Sequence, residues 1–372
     1  VADVVKRLLL IGAGHAHAQV LKDWAATPLP GVEVTVVSPA PLAPYSGMVP
    51  GWLAGTYRYE QCCIDFAVLA RAAGARFVAG EVVALDAIRR TVALADGGVL
   101  GYELLSLNIG STLRPPAIDG PLLLPLRPLA RLRAAYETLL ERLADDARPL
   151  SLTTVGGGAA GVEATLAVLA RLRARRPGRA LAARLVTRGN TLLPGMARGA
   201  ARRAQAALER AGVRVQCGVA FDATAAAGDD LLLWATGAVA HPWPATSALA
   251  CSDDGFVRVD PFLRSPSHPE VHAVGDCAAW AEPLPKAGVY AVRMGPLLSH
   301  NLRAALGHTT ARAYVPQHRY LALLATADAR AIAAWGPWSA EGAWAWRWKD
   351  RIDRGFIARF APPALPAGDE RT

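Results

Sequence analysis

A chain of 372 residues that is 52% hydrophobic and only 19% charged can bury a core large enough for two domains, which excludes a disordered or low-complexity protein. The net charge of +9 comes from arginines scattered over Ala- and Leu-rich segments, with no basic stripe interleaved with aromatics, so nucleic acid is not an expected partner. No apolar run reaches the ~20 residues needed to cross a bilayer, and no leader peptide is recognisable. Five cysteines without a paired framework point to a cytoplasmic setting.

Residues 5–11 and 32–38 read as two parallel strands flanking an amphipathic helix at 15–26. The first strand breaks into Gly12-Ala-Gly14-His15, which lets the backbone approach a pyrophosphate seated on the helix N-terminus. His17 stands where a small residue normally permits close helix–strand packing. The second strand ends in Ser38-Pro39, where an acidic residue normally grips ribose hydroxyls, so only one weaker hydroxyl contact is expected there. The Pro- and Gly-rich stretch 39–51, which includes Ser46, is expected to be an irregular loop wrapped around a ligand. Residues 75–85 and 91–94 read as short strands of an antiparallel insertion. Residues 104–109 return to the sheet and end at Gly110-Ser111. Pro115, Pro116 and Pro121 mark a crossover before a helix at about 128–145.

The device then recurs. A strand at 150–155 breaks into Gly156, Gly158 and Gly161 and reopens as a helix at 159–174, with Glu163 expected in its first turn. A strand at 181–187 ends in Thr187-Arg188-Gly189, which offers no carboxylate for a ribose but an arginine suited to a 2′-phosphate, favouring NADPH over NADH. A helix at 197–211 and strands at 213–217 and 230–235 follow, the last closing on Ala235-Thr-Gly237. Val271-His-Ala-Val-Gly275-Asp276 is another strand running into a turn, whose carboxylate can bond a sugar-like hydroxyl, and a helix at about 288–306 succeeds it. In the Trp-rich tail a helix would set Trp344, Trp348, Ile352, Phe356 and Phe360 along one apolar arc, with Lys349 and Arg359 intruding. Such an arc fits a membrane interface, the protein's own body or a second subunit.

The order glycine motif, strand-Gly-Ser, second glycine motif, Ala-Thr-Gly, Val-Gly-Asp resembles the pyridine nucleotide-disulfide oxidoreductase superfamily over nearly the whole chain. Pro44-Tyr-Ser-Gly-Met-Val-Pro-Gly51 and Pro285-Lys286-Ala-Gly288 look like the flavoprotein module fused to some selenide, water dikinases, a relative of type II NADH dehydrogenases and sulfide:quinone reductases. The resemblance implies an α/β fold of two Rossmann-like dinucleotide-binding domains plus a C-terminal extension. It implies an FAD-binding domain at 1–118 and 245–312, an NAD(P)-binding domain at 119–244 and an interface region at 313–372. It places FAD against Gly12, Gly14, His15, Ser38, Pro39, Ser46, Val83, Gly110, Gly275, Asp276 and Lys286. NADPH or NADH would sit against Gly156, Gly158, Gly161, Arg188 and Gly237, with Glu163 orienting nicotinamide or relaying a proton and Lys286 stabilising reduced flavin.

No Cys-x-x-Cys is present and Cys62-Cys63 are adjacent, which disfavours a disulfide reductase. The expected activity is transfer from NAD(P)H through FAD to a quinone or other small acceptor. The alternatives are a sulfide:quinone reductase-like flavoprotein that ignores pyridine nucleotides, and a non-catalytic flavin-binding partner of selenium metabolism.

Overall fold

The chain runs through β1 (Lys6–Ile11), α1 (His15–Ala26), β2 (Val32–Ser38), β3 (Leu42–Pro44), α2 (Val49–Ala54), β4 (Cys63–Asp65), α3 (Phe66–Ala72), β5 (Arg76–Ala79), β6 (Val82–Asp86), β7 (Thr91–Leu94), β8 (Val99–Gly101) and β9 (Leu104–Leu107). A second series follows: β10 (Leu122–Pro125), α4 (Leu129–Arg142), β11 (Leu150–Val155), α5 (Ala159–Arg175), β12 (Leu181–Thr187), α6 (Arg198–Arg210), β13 (Val213–Cys217), α7 (Ala223–Ala226) and β14 (Leu231–Trp234). The remainder comprises β15 (Val257–Arg258), β16 (Val271–Ala273), β17 (Ala278–Ala279), α8 (Gly288–Ala305), β18 (Ala322–Ala325), β19 (Ala331–Trp335), β20 (Trp338–Gly342) and α9 (Ala343–Ala358). The computed structural model describes residues 5–143 and 148–361. The end of the helix expected to reach 145, the first four residues and residues 362–372 of the extension lie outside them.

Two five-stranded sheets, ordered β16-β9-β1-β2-β5 and β10-β14-β11-β12-β13, are parallel throughout. Their central strands are continuous apolar runs, such as Leu8–Ile11 and Leu231–Leu233, because both faces are covered: in the first sheet Leu8 and Leu10 pack among α1 and α8, and Leu9 and Ile11 against β6 and β7. In each sheet the strand order reverses beside the strand that carries the glycines, between β1 and β9 and between β11 and β14. A ligand crevice opens at such a reversal. The architecture is the expected α/β pair of dinucleotide-binding folds.

Three expectations are corrected. The stretch 39–51 is partly regular, because β3 pairs with β4 and Val49 starts α2. Arg76–Ala79 joins the first parallel sheet beside β2, so the antiparallel insertion consists of β6, β7 and β8 only. The Trp-rich arc of α9 is split. Phe356 and Phe360 are buried while Trp344, Trp348 and Ile352 are exposed, and Lys349, which interrupted the arc, is 5% exposed. A charged side chain moved inside because it found partners there, a choice that apolar periodicity cannot register.

The three-stranded sheet β18-β19-β20 and α9 form a unit that touches both nucleotide folds. Glu341 of β20 pairs with Arg210 of α6, while Tyr57 after α2 donates to Asp350 of α9 at 2.5 Å. The unit contacts both folds, which also pack directly on each other through α2 and α5.

Buried histidines give the fold a pH signature. Burial lowers His17 and His272 to about 4, and among the described residues neither ring nitrogen of His272 has a hydrogen-bond partner. Between about pH 6.5 and 4 the unfolded chain takes up protons that these native rings refuse, so stability is lost as pH is lowered through this window, at about 1.4 kcal/mol per unit for each. His272→Leu leaves no orphaned partner and is expected to remove one such increment from the slope, read by urea titrations at pH 4.5, 5.5 and 6.5.

Candidate active site

The first crevice is organised by Asn108, just past β9. Its Oδ1 accepts from the backbone N–H of Ala16 at 3.1 Å and of His17 at 3.4 Å, and its Nδ2 donates to the Val274 carbonyl at 3.1 Å. One side chain thus ties the first turn of α1 to the strand end before Gly275-Asp276. The glycines follow from this crowding. A Cβ on Gly12 would lie 2.5 Å from the Asn108 carbonyl oxygen, and one on Gly14 would lie 2.1 Å from Oδ1. Gly12 also holds φ at +96°, open to glycine at little cost. His17, at the position of the third small residue, donates from Nδ1 to the Gly12 carbonyl at 2.7 Å and therefore accepts at Nε2 from Ser106, at 2.8 Å. The turn is closed by a hydrogen bond where close packing was expected.

The second crevice repeats the plan without the asparagine. A Cβ on Gly156 would lie 2.2 Å from the Ala235 carbonyl oxygen, and one on Gly161 would lie 2.0 Å from that of Gly156. Gly158 differs, because nothing lies within 4 Å of its Cβ position and its backbone is extended. The helices α1 and α5 both begin at a glycine with no side-chain cap, leaving their N-terminal dipoles open toward the crevice.

The other sequence-assigned residues distribute around these turns. Ser46 Oγ is 2.7 Å from the Cβ position of Gly288, the first residue of α8, and His15 Cε1 is 3.7 Å from it. Burial holds His15 at about 4, hence neutral, and its ring meets Tyr45 and Phe356 edge-on. Ser38 is buried and its carbonyl accepts from Gly80, while Pro39 is exposed. Val83 lies at a register shift between Val82 and Ala84 in the β6–β7 ladder. Gly110 has φ +69° and, like Gly237, faces open space. Arg188 is exposed at the end of β12.

Asp276 is held by a residue that sequence reasoning passed over. Arg127, on the crossover into the second fold, donates to Asp276 Oδ2 at 2.6 Å, to the Lys286 carbonyl at 3.3 Å and to Ser111, which itself donates to Oδ2 at 3.3 Å. Asp276 Oδ1 has no hydrogen bond among the described residues. Arg127 sits in no motif, so only the fold could reveal it. The Lys286 ammonium donates to the Ala278 carbonyl at 2.7 Å and lies 3.8 Å from the Phe256 ring centroid; burial lowers its pKa. That bond uses one of the three ammonium donors and leaves two for a ligand.

Glu163 is the fifth residue of α5, just past the first turn in which it was expected. Its Oε1 accepts from the Ala325 N–H of β18 at 2.7 Å. Burial raises the carboxyl to about 7, against the pull of the Lys349 ammonium and the Ala325 amide, while the Asp353 carboxylate adds to the rise. Lys349 donates to Asp353 Oδ2 at 2.8 Å and to the Gly47 carbonyl at 2.6 Å. This buried group joins α5, the loop bearing Ser46 and α9. The sequence offered a faint sign of it, the lysine and aspartate spaced i,i+4 within an apolar arc. Cys62 and Cys63 are free and buried, with both thiols pushed up to about 12, chiefly by burial, so neither is a poised nucleophile.

Two reversal-point crevices carrying glycine turns at uncapped helix starts define a two-dinucleotide flavoprotein fold. The chain belongs to the pyridine nucleotide-disulphide oxidoreductase family, whose model matches residues 6–295, and it is an oxidoreductase of that flavin-dependent family. It is 25% identical to ferroptosis suppressor protein 1 of Taeniopygia guttata over 304 residues, 74% of this chain and 75% of that protein. It superposes on the sulfide:quinone oxidoreductase of the hyperthermophilic bacterium Aquifex aeolicus with a TM-score of 0.76 at 15% identity, covering 95% of this chain and 91% of the other. NDH2 of Plasmodium falciparum in complex with NADH gives 0.76 at 14%, covering 96% and 97%. At these identities the two structures establish a shared fold.

The raised Glu163 carboxyl has a sign opposite to the histidines. Between about pH 4.5 and 7 the native protein holds a proton that the unfolded chain releases, so this contribution is present at low pH and lost as pH rises. Glu163→Gln is expected to steepen the gain of stability with pH over 4.5–6.5 by up to about 1.4 kcal/mol per unit, read in the same urea titrations.

Proposed function

We propose that the protein is an FAD-dependent NAD(P)H oxidoreductase that passes electrons to a quinone or another small acceptor. One observation carries this reading: Gly158 opens onto free space at the uncapped start of α5, across the chain from the Asn108-braced turn at the start of α1. Two such turns in one chain suit two dinucleotides whose reactive ends meet.

The residues present fit FAD. Gly12 and Gly14 offer bare backbone and the α1 dipole to a pyrophosphate. The free Oδ1 of Asp276, with Oδ2 anchored by Arg127, suits a ribityl hydroxyl, and the bulged backbone at Val83 suits an adenine edge. When bound, the flavin supplies two-electron acceptance from nicotinamide and onward delivery to the acceptor. The chain's own part is to orient and to manage protons. Gly156 and Gly161 let the turn close on backbone carbonyls, Gly158 and Gly237 leave open space for the nucleotide, Arg188 reaches a 2′-phosphate, and Glu163, with a carboxyl near 7, can hold or release a proton at Oε2 while Oε1 stays on Ala325. On this reading the protein works in the cytoplasm, with peripheral contact at a membrane that supplies the acceptor.

Purified protein is expected to be yellow and to release FAD on heating, and Asp276→Ala to lose most of it, as read by absorbance of the supernatant. A colourless protein that FAD cannot reconstitute overturns the reading. In anaerobic stopped flow, NADPH should bleach the flavin at lower concentration than NADH. Arg188→Ala should remove one to two orders of magnitude of that preference, since a charge-assisted phosphate bond contributes roughly 1.5–3 kcal/mol. Gly158→Val, whose Cβ would meet nothing within 4 Å, should abolish reduction by either nucleotide with FAD retained. If neither nucleotide bleaches the wild-type flavin but sulfide does, the pyridine-nucleotide assignment is wrong.

A further inference from the structure

Three polar side chains of the first crevice are left without partners. His15 opens α1, Tyr45 and Ser46 lie in the turn after β3, and each is partly exposed. Among the described residues none of these side chains makes a hydrogen bond. They meet around Gly288, the first residue of α8. Ser46 Oγ lies 2.7 Å from the Cβ position of Gly288, and the His15 ring lies 3.7 Å from it at Cε1 and 3.9 Å at Nδ1. The His15 ring meets Tyr45 and Phe356 edge-on, with centroids 5.3 and 5.8 Å away, and Tyr45 and Phe356 stack on each other at 4.3 Å. The bare Cα of Gly288 thus stands beside two stacked aromatic rings and three unused donors.

An imidazole, a phenol and an alcohol can each donate without carrying charge. Such donors match the partial charge of a carbonyl oxygen, whereas a carboxylate or phosphate calls for arginine or lysine. Aromatic faces beside them suit a flat ring. We propose that this cluster is the acceptor's subsite, in which His15 donates to a carbonyl oxygen of a flat conjugated ring that lies against Tyr45 and Phe356. It rests on the proposed flavin in this crevice. Burial keeps the His15 ring neutral, at about 4, against the pull of the Asp276 carboxylate, so the ring offers one N–H at any pH the protein works in.

Reduction of such a ring, for which a quinone is the simplest case, takes two electrons and two protons and turns its two carbonyls into hydroxyls. Reduced flavin gives up both electrons with one proton, as a hydride, and the second proton comes from water. Until that proton arrives one oxygen of the acceptor carries negative charge. His15 keeps its own proton throughout and donates a hydrogen bond to that oxygen, as a neutral imidazole can. The bond strengthens as charge gathers, so His15 acts on the rate of reduction more than on affinity.

The experiment uses the full flavin-loaded chain, reduced with one equivalent of dithionite so that no nucleotide is needed. It is mixed anaerobically with menadione while flavin reoxidation is followed. His15→Phe, a flat ring without a donor, should slow reoxidation at saturating menadione about ten- to hundred-fold, with a smaller loss of affinity. His15→Gln, which restores an N–H, should recover most of that rate. Tyr45→Phe, which leaves the glycine turn untouched, should weaken menadione binding about three- to ten-fold. A second reading involves no turnover: the infrared carbonyl stretch of fluorenone, a flat ketone, bound to the oxidised protein. It should lie below its value in cyclohexane, return to that value in His15→Phe and stay low in His15→Gln. Reoxidation and stretch both unchanged in a flavin-retaining His15→Phe overturn the proposal, as does fluorenone that fails to bind the native protein. Should His15→Phe lose its flavin, unaltered menadione affinity in Tyr45→Phe overturns it instead. If menadione leaves the native flavin reduced, the quinone reading of the acceptor falls, and the fluorenone stretch alone decides the subsite.

Discussion

The first nucleotide fold depends on one buried amide. Asn108 draws the helix start after Gly14 and the strand end before Gly275 onto a single side chain, so that two turns from distant parts of the chain meet at the reversal of strand order. Its two ends cannot be exchanged. The oxygen faces two N–H donors and the nitrogen a carbonyl, and an isosteric carboxylate would turn the second contact into repulsion. The absence of side chains at Gly12 and Gly14 is the steric counterpart of the same constraint, since a methyl at either would occupy the space of Asn108 itself. In the second fold the equivalent space is filled by a strand carbonyl alone, and the helix start is packed by Gly161.

A second constraint comes from the C-terminal unit. Lys349 is a charge taken out of water, and its ion pair with Asp353 offsets a desolvation cost of several kcal/mol. Such pairs contribute little net stability, but loss of one partner leaves the other exposed to that full cost. What the arrangement achieves is registration. The ammonium holds the Gly47 carbonyl and biases Glu163, so the loop of the first fold and the first turns of α5 are referred to one point on α9. A redox site shared between two folds needs such a reference, because misplacement by an ångström at the reacting centre is costly.

The titrating groups of the interior are sorted by this geometry. Histidines 15, 17 and 272 are kept neutral by burial, and Glu163 is drawn toward neutrality near pH 7 despite the nearby ammonium. Surface charge, by contrast, is dominated by arginine, which keeps its proton under all conditions. Changes of pH in the physiological range therefore act on the candidate site through Glu163 more than through the body of the protein.

Much of this was legible in the chain. Apolar strand runs ending in glycines dictate both dinucleotide turns, because a tight strand-to-helix turn with close backbone approach admits few other residues. The parallel α/β class follows from the alternation of those runs with Ala-rich helices. Interactions between segments far apart in sequence were decided only by the tertiary structure. The bond between Arg127 and Asp276 spans 149 positions and the placing of Glu163 on Ala325 spans 162, and neither has a local signature. For the same reason Arg76–Ala79 was assigned to the insertion, although its four residues pair with β2 in the main sheet. The face of α9 shows the limit most plainly. Periodicity orders side chains around a helix, but which of them turn inward depends on the partners that meet them, and here a lysine with two acceptors displaced a pair of tryptophans.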